Sequence, residues 1–318
     1  MGSVKNLIIE KEPTANALGV GYFEFTDDYS VFDYGKMPDT IPGKGESLCK
    51  VASFNFKQIA KLLNIKTHFI EQVAPNKMKI SLVRVIRDYN ALKGEKNFLI
   101  PLEIIFRNSL PEGSSVFKRL SRGEITPQDL GLADYPKPGT KLEKPIVDFS
   151  TKLEEVDRYL KPNEAKELAK LTDGEFEKMK EITLSIDAWL TERAESLGLS
   201  HEDGKLEFAF DNNRELMVVD VFGTMDENRF SYNGFALSKQ ILRDYYKTTP
   251  WYKELEEAKN NGLEKSKWPS PPRLPQKLIE IVSNLYKGFA ELWTGEKIWG
   301  VKSLDETIEE YYRWKDEL

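Results

Sequence analysis

Apolar residues along this chain recur at two different spacings, and the change from one to the other marks where strands and helices are expected. In DGKLEFAFDNNRELMVVD, Asp203 to Asp220, Leu206, Phe208 and Phe210 alternate with Lys205 and Glu207, the period of two of a strand with one face buried. A second run with β-character, Glu215–Asp220, follows Asn212-Asn213, and asparagine tolerates the positive φ that a two-residue type I′ turn demands. Pairing Asp211 with Arg214 sets the register. Lys205 then faces Asp220 and Glu207 faces Val218, and alternation puts Lys205, Glu207 and Asp220 on one side of the sheet with the leucine and phenylalanines on the other.

The first hundred residues mix short apolar runs with turn signals, as in YFEFTDDYSVFDYG and PDTIPGKGES, and then give a helical pattern from about Val51 to Leu63. This predicts a β-rich N-terminal lobe with an inserted helix. MKISLVRVI and NFLIPLEIIF read as buried strands joined through the polar RDYNALKGEK as a hairpin loop. From Gly113 to Pro145 the chain turns irregular and rich in Gly, Pro and Ser, a linker or an active-site loop. Leu168, Leu171, Phe176, Met179, Ile182, Ile186 and Leu190 then recur at helical spacing and predict two helices between Asn163 and Leu197. Amphipathic patterns at Lys239–Tyr246 and Gln276–Trp293 predict further helices, divided by the surface crossing WPSPPRLP.

With 318 residues, 40% hydrophobic and 31% charged, the chain is long enough for one large domain or two ordinary ones. It has no run of about 18 apolar residues and no recognisable leader at MGSVKNLIIEKEP, so a soluble protein of the cytoplasm, without a membrane partner, is expected. The single cysteine, Cys49, excludes an intramolecular disulfide framework and a thiolate metal cluster, and reads as a small buried residue. A net charge of −6 and a pI of about 5.4 argue against a nucleic-acid partner bound on a broad basic surface. An acidic protein with anionic ligands must concentrate its cations locally.

The hairpin face supplies such a place. Carboxylates at Glu207 and Asp220 suit Mg²⁺, which takes hard oxygen ligands and completes its octahedron with water and phosphates, and Lys205 beside them offers a phosphate a point charge. The same residues also suit a solvated strand face with a weak Lys205–Asp220 ion pair. IPGKG, Ile41 to Gly45, bares backbone N–H groups beside Lys44 and suits a phosphate loop or a plain Pro-Gly turn. It is not a Walker A loop, since Pro38 and Gly45 stand where that motif needs Gly and Ser or Thr. Gly19-Val20-Gly21 lacks the third glycine of a dinucleotide fingerprint. Arg107 at a strand end, with Gly113-Ser114-Ser115 after it, is suited to grip a phosphate or carboxylate. His68 and His201 read as structural.

Taken in order, these segments resemble the SAICAR synthetase family, the phosphoribosylaminoimidazole-succinocarboxamide synthases. The resemblance runs through SVFD and IPGKG (Ser30–Asp33, Ile41–Gly45), THF (Thr67–Phe69), PLEIIFRN with GSS, STK (Ser150–Lys152), DGKLEF, VVD, NRF, SKQILRDYY and LPQKLIEIVSNLY, nearly the whole chain. It implies an α+β, two-lobed fold related to ATP-grasp enzymes, with antiparallel sheets flanked by helices and nucleotide between an N-terminal lobe, residues 1–112, and a C-terminal lobe, residues 113–318. The implied activity joins L-aspartate to the carboxylate of carboxyaminoimidazole ribonucleotide (CAIR), using ATP and Mg²⁺ and passing through an acyl phosphate. By analogy a homodimer is compatible. Lys205, Glu207 and Asp220 match the catalytic set, with Glu207 and Asp220 as metal carboxylates. Arg107, Ser114, Asp203, Arg229, Lys239 and Arg243 match the CAIR site, with Ser115 not separable from Ser114. Leu99, Glu103, Lys152 and Asp157 match positions beside the nucleotide. Asp33, Gly43, Lys44 and Gly45 are the candidates for free aspartate.

Three departures stand out. EPTANALGVGYFEF lacks the lysines the family usually carries over the ATP phosphates, which leaves backbone N–H groups to hold them. Val221 replaces an acidic residue, and Glu227-Asn228 replaces a pair of serines. Two rival readings follow: another ATP-dependent amide-forming ligase on the same scaffold, and a catalytically silent nucleotide-binding protein.

Overall fold

The computed structural model describes residues 4–317. Among them, the strands form two antiparallel sheets. The first takes β1 (Lys5–Lys11), β2 (Gly19–Phe25) and, after helix α1 (Lys44–Leu63), β3 (Phe69–Ala74) and β4 (Lys77–Leu82), in the order β1-β2-β4-β3. The second takes β5 (Phe98–Leu110), β6 (Thr140–Thr151) and β7 (Tyr159–Leu160), with helix α2 (Ser115–Ser121) between β5 and β6. Helices α3 (Pro162–Leu168) and α4 (Asp173–Ser196) lead to β8 (Leu199–Phe210), β9 (Leu216–Val219), β10 (Asn228–Tyr232) and β11 (Phe235–Leu237). The order in this larger sheet is β11-β10-β8-β5-β6-β7, with β9 also on β8. Four helices close the chain: α5 (Gln240–Lys247), α6 (Pro250–Asn260), α7 (Gln276–Thr294) and α8 (Leu304–Asp316). No helix among the described residues is long and apolar enough to cross a membrane.

The helices expected from periodicity are present, and α1 begins earlier than its pattern, at Lys44. Gly43 in the left-handed region (φ 81°) starts it, and the Asp27 carboxylate accepts from the Gly43 N–H (3.1 Å) and the Gly45 N–H (2.9 Å). A carboxylate at this end satisfies orphan donors and the helix dipole together. The amides that a phosphate loop would present are therefore already bonded within the chain. Apolar residues of α1 and α7 join the main core, and Asn55 crosses it, donating to the Phe222 carbonyl (3.0 Å) and accepting from Trp293 Nε1 (2.7 Å). Cys49 is buried there as a free thiol, its pKa pushed up to about 12 by burial.

Three expectations need correction. MKISLVRVI and NFLIPLEIIF are not a hairpin: β4 and β5 lie in different sheets, and the segment between them is folded back by Arg84, which donates to the Asn97 and Lys96 carbonyls and to Glu95. The strands thus divide between β4 and β5, so β5, expected within the lobe ending at residue 112, pairs in the larger sheet. Of the two expectations for the stretch from Gly113 to Pro145, a linker or an active-site loop, the first does not describe it, because Val116, Leu120 and Leu130 bury against Leu110 in a small core of their own, while Gly113 and Ser115 line a cavity. The third correction concerns β8 and β9. Asp211 N–H donates to the Glu215 carbonyl (3.0 Å), which leaves three residues between that pair, with Arg214 rather than an asparagine at positive φ (61°), because the Asp211 carboxylate accepts from the Asn213 and Glu215 N–H groups. The register moves by one: Glu207 faces Val219 and Phe208 faces Val218.

WPSPPRLP crosses the surface as expected but is tied down, its Pro269 and Pro272 carbonyls accepting from Trp251 and Tyr246 and Leu274 N–H donating to Asp39. Gly45 tests the packing of α1. A Cβ there would meet the Phe25 carbonyl oxygen at 2.8 Å, a backbone atom that cannot swing aside. Gly45→Ala is expected to lower unfolding free energy by about 1–3 kcal/mol, measured by urea denaturation.

Candidate active site

Strand alternation builds the site. On β5 and β8 the even positions Leu102, Ile104, Phe106, Leu206 and Phe208 are buried in the core, and the odd positions face a cleft. Pro101, which has no N–H to give the ladder, sits where the β5–β8 register shifts between Leu99 and Glu103. The shift is by two residues, so odd positions keep their face. Across the sheet Glu103 pairs with Glu207, Ile105 with Lys205, and Arg107 with Asp203, and Asp203 pairs on its other edge with Arg229.

The first row opens into a cavity of about 590 Å³. Its walls combine apolar Phe23, Ile80, Leu82, Val83, Leu99 and Val219 with charged Lys5, Glu103, Lys152, Lys205, Glu207 and Asp220. In the corrected register strict alternation would turn Asp220 toward the core with Val218. Its backbone prevents this: β9 ends at Val219, Asp220 adopts φ 62°, and its carboxylate lies in the cavity against Lys5. A non-glycine residue in that region carries strain of about 1 kcal/mol or more, a cost found at functional sites. Buried His68 stands across from its backbone, with Nε2 2.9 Å from the Asp220 carbonyl oxygen. Burial lowers the His68 pKa to about 4, so at neutral pH the neutral ring donates from Nε2.

Lys152 contacts Glu207 and lies 3.7 Å from Glu103, and Lys205 Nζ is 2.8 Å from Glu103 and 3.8 Å from Glu207. Burial, and next the charge of Asp220, push the Glu207 pKa up. For Asp220 burial acts in the same sense, but Lys5 and Lys152 outweigh it and hold the carboxyl well below its usual range. The Asp157 carboxyl, which also lines this cavity, is raised by burial and by Glu103. Buried Glu207 and half-buried Asp220 line one cavity, the charge of Asp220 opposing ionisation of Glu207, and such oxygen donors suit a hard divalent cation. Among the described residues no group of three or more metal-ligating side chains exists, so such an ion would take its remaining ligands from water and substrate.

The second row opens into an adjoining cavity of about 320 Å³. Arg107, Asp203, Arg229, Lys239 and Arg243 all line it, with Gly113, Ser115 and Tyr159 at its wall. Arg107 is 3% exposed and its donors are spent internally: Nε on Asp148 (3.0 Å), Nη1 on Asp203 (3.4 Å) and Ser114 (3.5 Å), Nη2 on Ser115 (3.2 Å) and Tyr159 (3.1 Å). It shapes the wall and leaves the cavity's free positive charge to others. Ser114 lies behind the wall and caps α2. Arg243 has no ion pair or side-chain hydrogen bond among the described residues, and burial together with nearby Arg229 lowers its pKa. Two guanidiniums that disfavour each other, with one of them unpaired, call for an anion between them.

The remaining candidates lie apart from the cavities' reacting faces. Asp33 favours the charge of Arg243 from the SVFD loop. Gly43 lines a different cavity, with Asp27, Glu46 and Trp299, and Gly45 packs on Phe25. Lys44 is fully buried, 2.8 Å from Asp226 and over the Tyr286 ring, and reaches the smaller cavity only through Asp226, which also takes Tyr286 OH (2.5 Å) and faces Lys239 (3.5 Å). Sequence reasoning missed Lys5, Asp226 and Tyr159. Lys5 brings a cation into the larger cavity from the start of β1, upstream of the turn where lysines were sought. No periodicity marks it, because it precedes the apolar run it accompanies.

The α+β fold thus presents a charged cleft made of two adjoining cavities, and sequence comparison assigns the chain to a class of ligases. A sequence model of the SAICAR synthetase family matches residues 14–258. An Archaeoglobus fulgidus protein provisionally described as a phosphoribosylaminoimidazole-succinocarboxamide synthase is 47% identical, covering 97% of this chain and 98% of its own. The chain belongs to the SAICAR synthetase family. Two solved structures are similar in fold: a SAICAR synthase from Saccharomyces cerevisiae complexed with SAICAR (TM-score 0.68, 22% identity, 94% of this chain and 95% of that one) and a type-2 SAICAR synthetase in complex with ADP (TM-score 0.65, 23% identity, 94% and 98%).

Behind Asp203, a buried polar cluster fixes β8. Asn228 Nδ2 donates to His201 Nε2 (2.9 Å), Thr191 Oγ1 lies 2.8 Å from His201 Nδ1, and Asn108 donates to Asp187 (2.8 Å). Burial lowers the His201 pKa to about 3 and raises that of Asp187 from 3.8 to about 6. A raised carboxyl means that the folded state holds its proton longer than the unfolded state. The stability Asp187 contributes is complete below about pH 3.8 and is lost as pH rises through about 6. Asp187→Asn is expected to remove that downward slope, seen by urea unfolding across pH 4–7.

Proposed function

We propose that the larger cavity takes ATP, its base against the apolar wall near Leu99 and its phosphates toward Lys5, Lys152 and Lys205, and that the smaller cavity takes CAIR, its phosphate between Arg229 and Arg243. The observation that carries this reading is that the two cavities share Glu103, Lys205 and Glu227, so a γ-phosphoryl group from one side and a carboxylate from the other meet at Lys205. The family supplies the reaction: ATP-dependent ligation of L-aspartate to the CAIR carboxylate in purine biosynthesis. The ADP and SAICAR complexes of the two proteins of similar fold support a nucleotide and a ribonucleotide ligand here.

A carboxylate is a poor electrophile and must be activated before an amine attacks it. Transfer of the γ-phosphoryl group gives an acyl phosphate, and displacement by the aspartate amine gives the amide and phosphate. Both steps gather negative charge at the seam, where Lys205 is held ready by Glu103, and such fixed charges act by positioning and electrostatic stabilisation. Glu207 and Asp220 would hold Mg²⁺, which when bound neutralises phosphate charge. Arg107 keeps Ser115, Tyr159 and Asp203 in place around the ribonucleotide. The IPGKG loop contributes through Lys44, which fixes Asp226, rather than through its amides.

The testing experiment measures ADP release with Mg²⁺-ATP, CAIR and L-aspartate, omitting each in turn. Release that requires all of them, with SAICAR identified by mass, upholds the reading. ATP binding with no release would point to another substrate or to a silent protein. Asp220→Asn and Glu207→Gln are each expected to cut turnover at least about 100-fold, on the order of 2–4 kcal/mol of transition-state stabilisation, with circular dichroism unchanged; normal turnover in either variant would remove it from the metal pair.

A further inference from the structure

Four carboxylates line the smaller cavity: Glu103, Asp203, Asp226 and Glu227. Three are committed. Glu103 is held by Lys205 (2.8 Å) and Lys152 (3.7 Å), Asp203 by Arg229 (3.2 Å) and Arg107 (3.4 Å), and Asp226 by Lys44 (2.8 Å), Lys239 (3.5 Å) and Tyr286. Glu227 is different. Its one ion pair among the described residues is the 3.6 Å approach to Lys205, and no donor is hydrogen-bonded to its carboxylate. Its backbone is nevertheless fixed, its N–H donating to Thr224 Oγ1 (3.4 Å), and its side chain is 13% exposed. It lines both cavities, at the seam where the acyl carbon is activated.

The chemistry there needs a base. The α-amino group of aspartate is an ammonium ion at neutral pH, with no lone pair to offer. We infer that Glu227 is the general base that takes this proton; the inference rests on the ligase reading above. The ammonium gives one proton to the Glu227 carboxylate, and the freed lone pair forms the C–N bond to the acyl carbon. The bond from that carbon to the phosphate oxygen breaks, its electron pair leaving on inorganic phosphate, and the second proton lost by nitrogen passes to the departing phosphate or to water. Lys205, 3.6 Å from Glu227, faces the charge that develops on the acyl oxygen. Glu103, Asp203 and Asp226 each already hold two cations, which compete with a substrate ammonium for the carboxylate oxygens, whereas Glu227 has only Lys205.

Glu227→Gln keeps the size of the side chain and removes the base. In rapid-quench assays with Mg²⁺-ATP, CAIR and aspartate, it is expected to retain a burst of one ADP per site at the wild-type rate, while SAICAR appears at least about 100-fold more slowly. The remaining rate should climb about tenfold per pH unit as free amine accumulates, and Glu227→Asp should restore part of it. A burst that slows along with SAICAR formation would make Glu227 a partner of Lys205 in phosphoryl transfer instead, and an unchanged SAICAR rate would leave it no part in the reaction; either overturns the inference. Wild-type protein that releases no ADP with all substrates present would overturn the ligase reading itself, whatever the variants do.

Discussion

Between the two sheets, Lys5, Lys152 and Lys205 lie within ion-pair reach of Glu103, Glu207, Asp220 and Glu227, most of them largely shielded from water. Any one of these charges alone in such a place would cost several kcal/mol, and removing a partner leaves that cost uncompensated. The chain meets the constraint by drawing the partners from distant segments: Lys5 from β1, Glu103 from β5, Lys152 from the end of β6, Lys205 and Glu207 from β8, and Asp220 and Glu227 from the segment after β9. The smaller sheet reaches the larger one through this cluster as well as through the helix core. The ion pairs that line the larger cavity thus also tie the two sheets together. Glu207 and Asp220 shift in opposite directions because burial raises both carboxyls and Lys5 with Lys152 reverses it at Asp220.

Alternation in DGKLEFAF was enough to find Lys205 and Glu207 on one face, and helical periodicity located α4, α5 and α7. Both are local signals, set by which residues must avoid water. The position of Asp220 was reached by the wrong route. Register depended on whether the β8–β9 loop held two residues or three, which the carboxylate of Asp211 decides by bonding two backbone amides. The extra residue would have turned Asp220 inward, and a left-handed backbone beside His68 turned it back. Neither step has a periodicity to betray it. The strand assignment of MKISLVRVI and NFLIPLEIIF was legible, but not their separation into two sheets, since the wrapping of Arg84 around its turn is a tertiary bond.

Lysine and glycine in IPGKG carried a suggestion of phosphate that the packed structure redirects. A helix start is an anion site only while its amides are free, and Asp27 has taken them. Lys44, the charge in the motif, faces inward to Asp226 and Tyr286. Arg107 shows the same economy: its planar fork, suited to gripping a ligand, is instead the bracket on which Ser115, Tyr159 and Asp203 hang. In both cases the contacts within the chain come from residues far away in sequence, Asp226 for Lys44 and Asp148, Tyr159 and Asp203 for Arg107.

The stretch from Asp220 to Arg229 begins at one cavity and ends at the other. It is pinned along its length: His68 holds the Asp220 carbonyl, Asn55 the Phe222 carbonyl, and the Asn228 side chain accepts from Gly223 N–H while donating to His201. Each anchor fixes a backbone atom or the spacing between two of them, and few depend on the identity of the side chains between. Such a segment can change its letters but not its length. An inserted or deleted residue would carry Arg229 out of step with Asp203 or Asp220 out of step with Lys5.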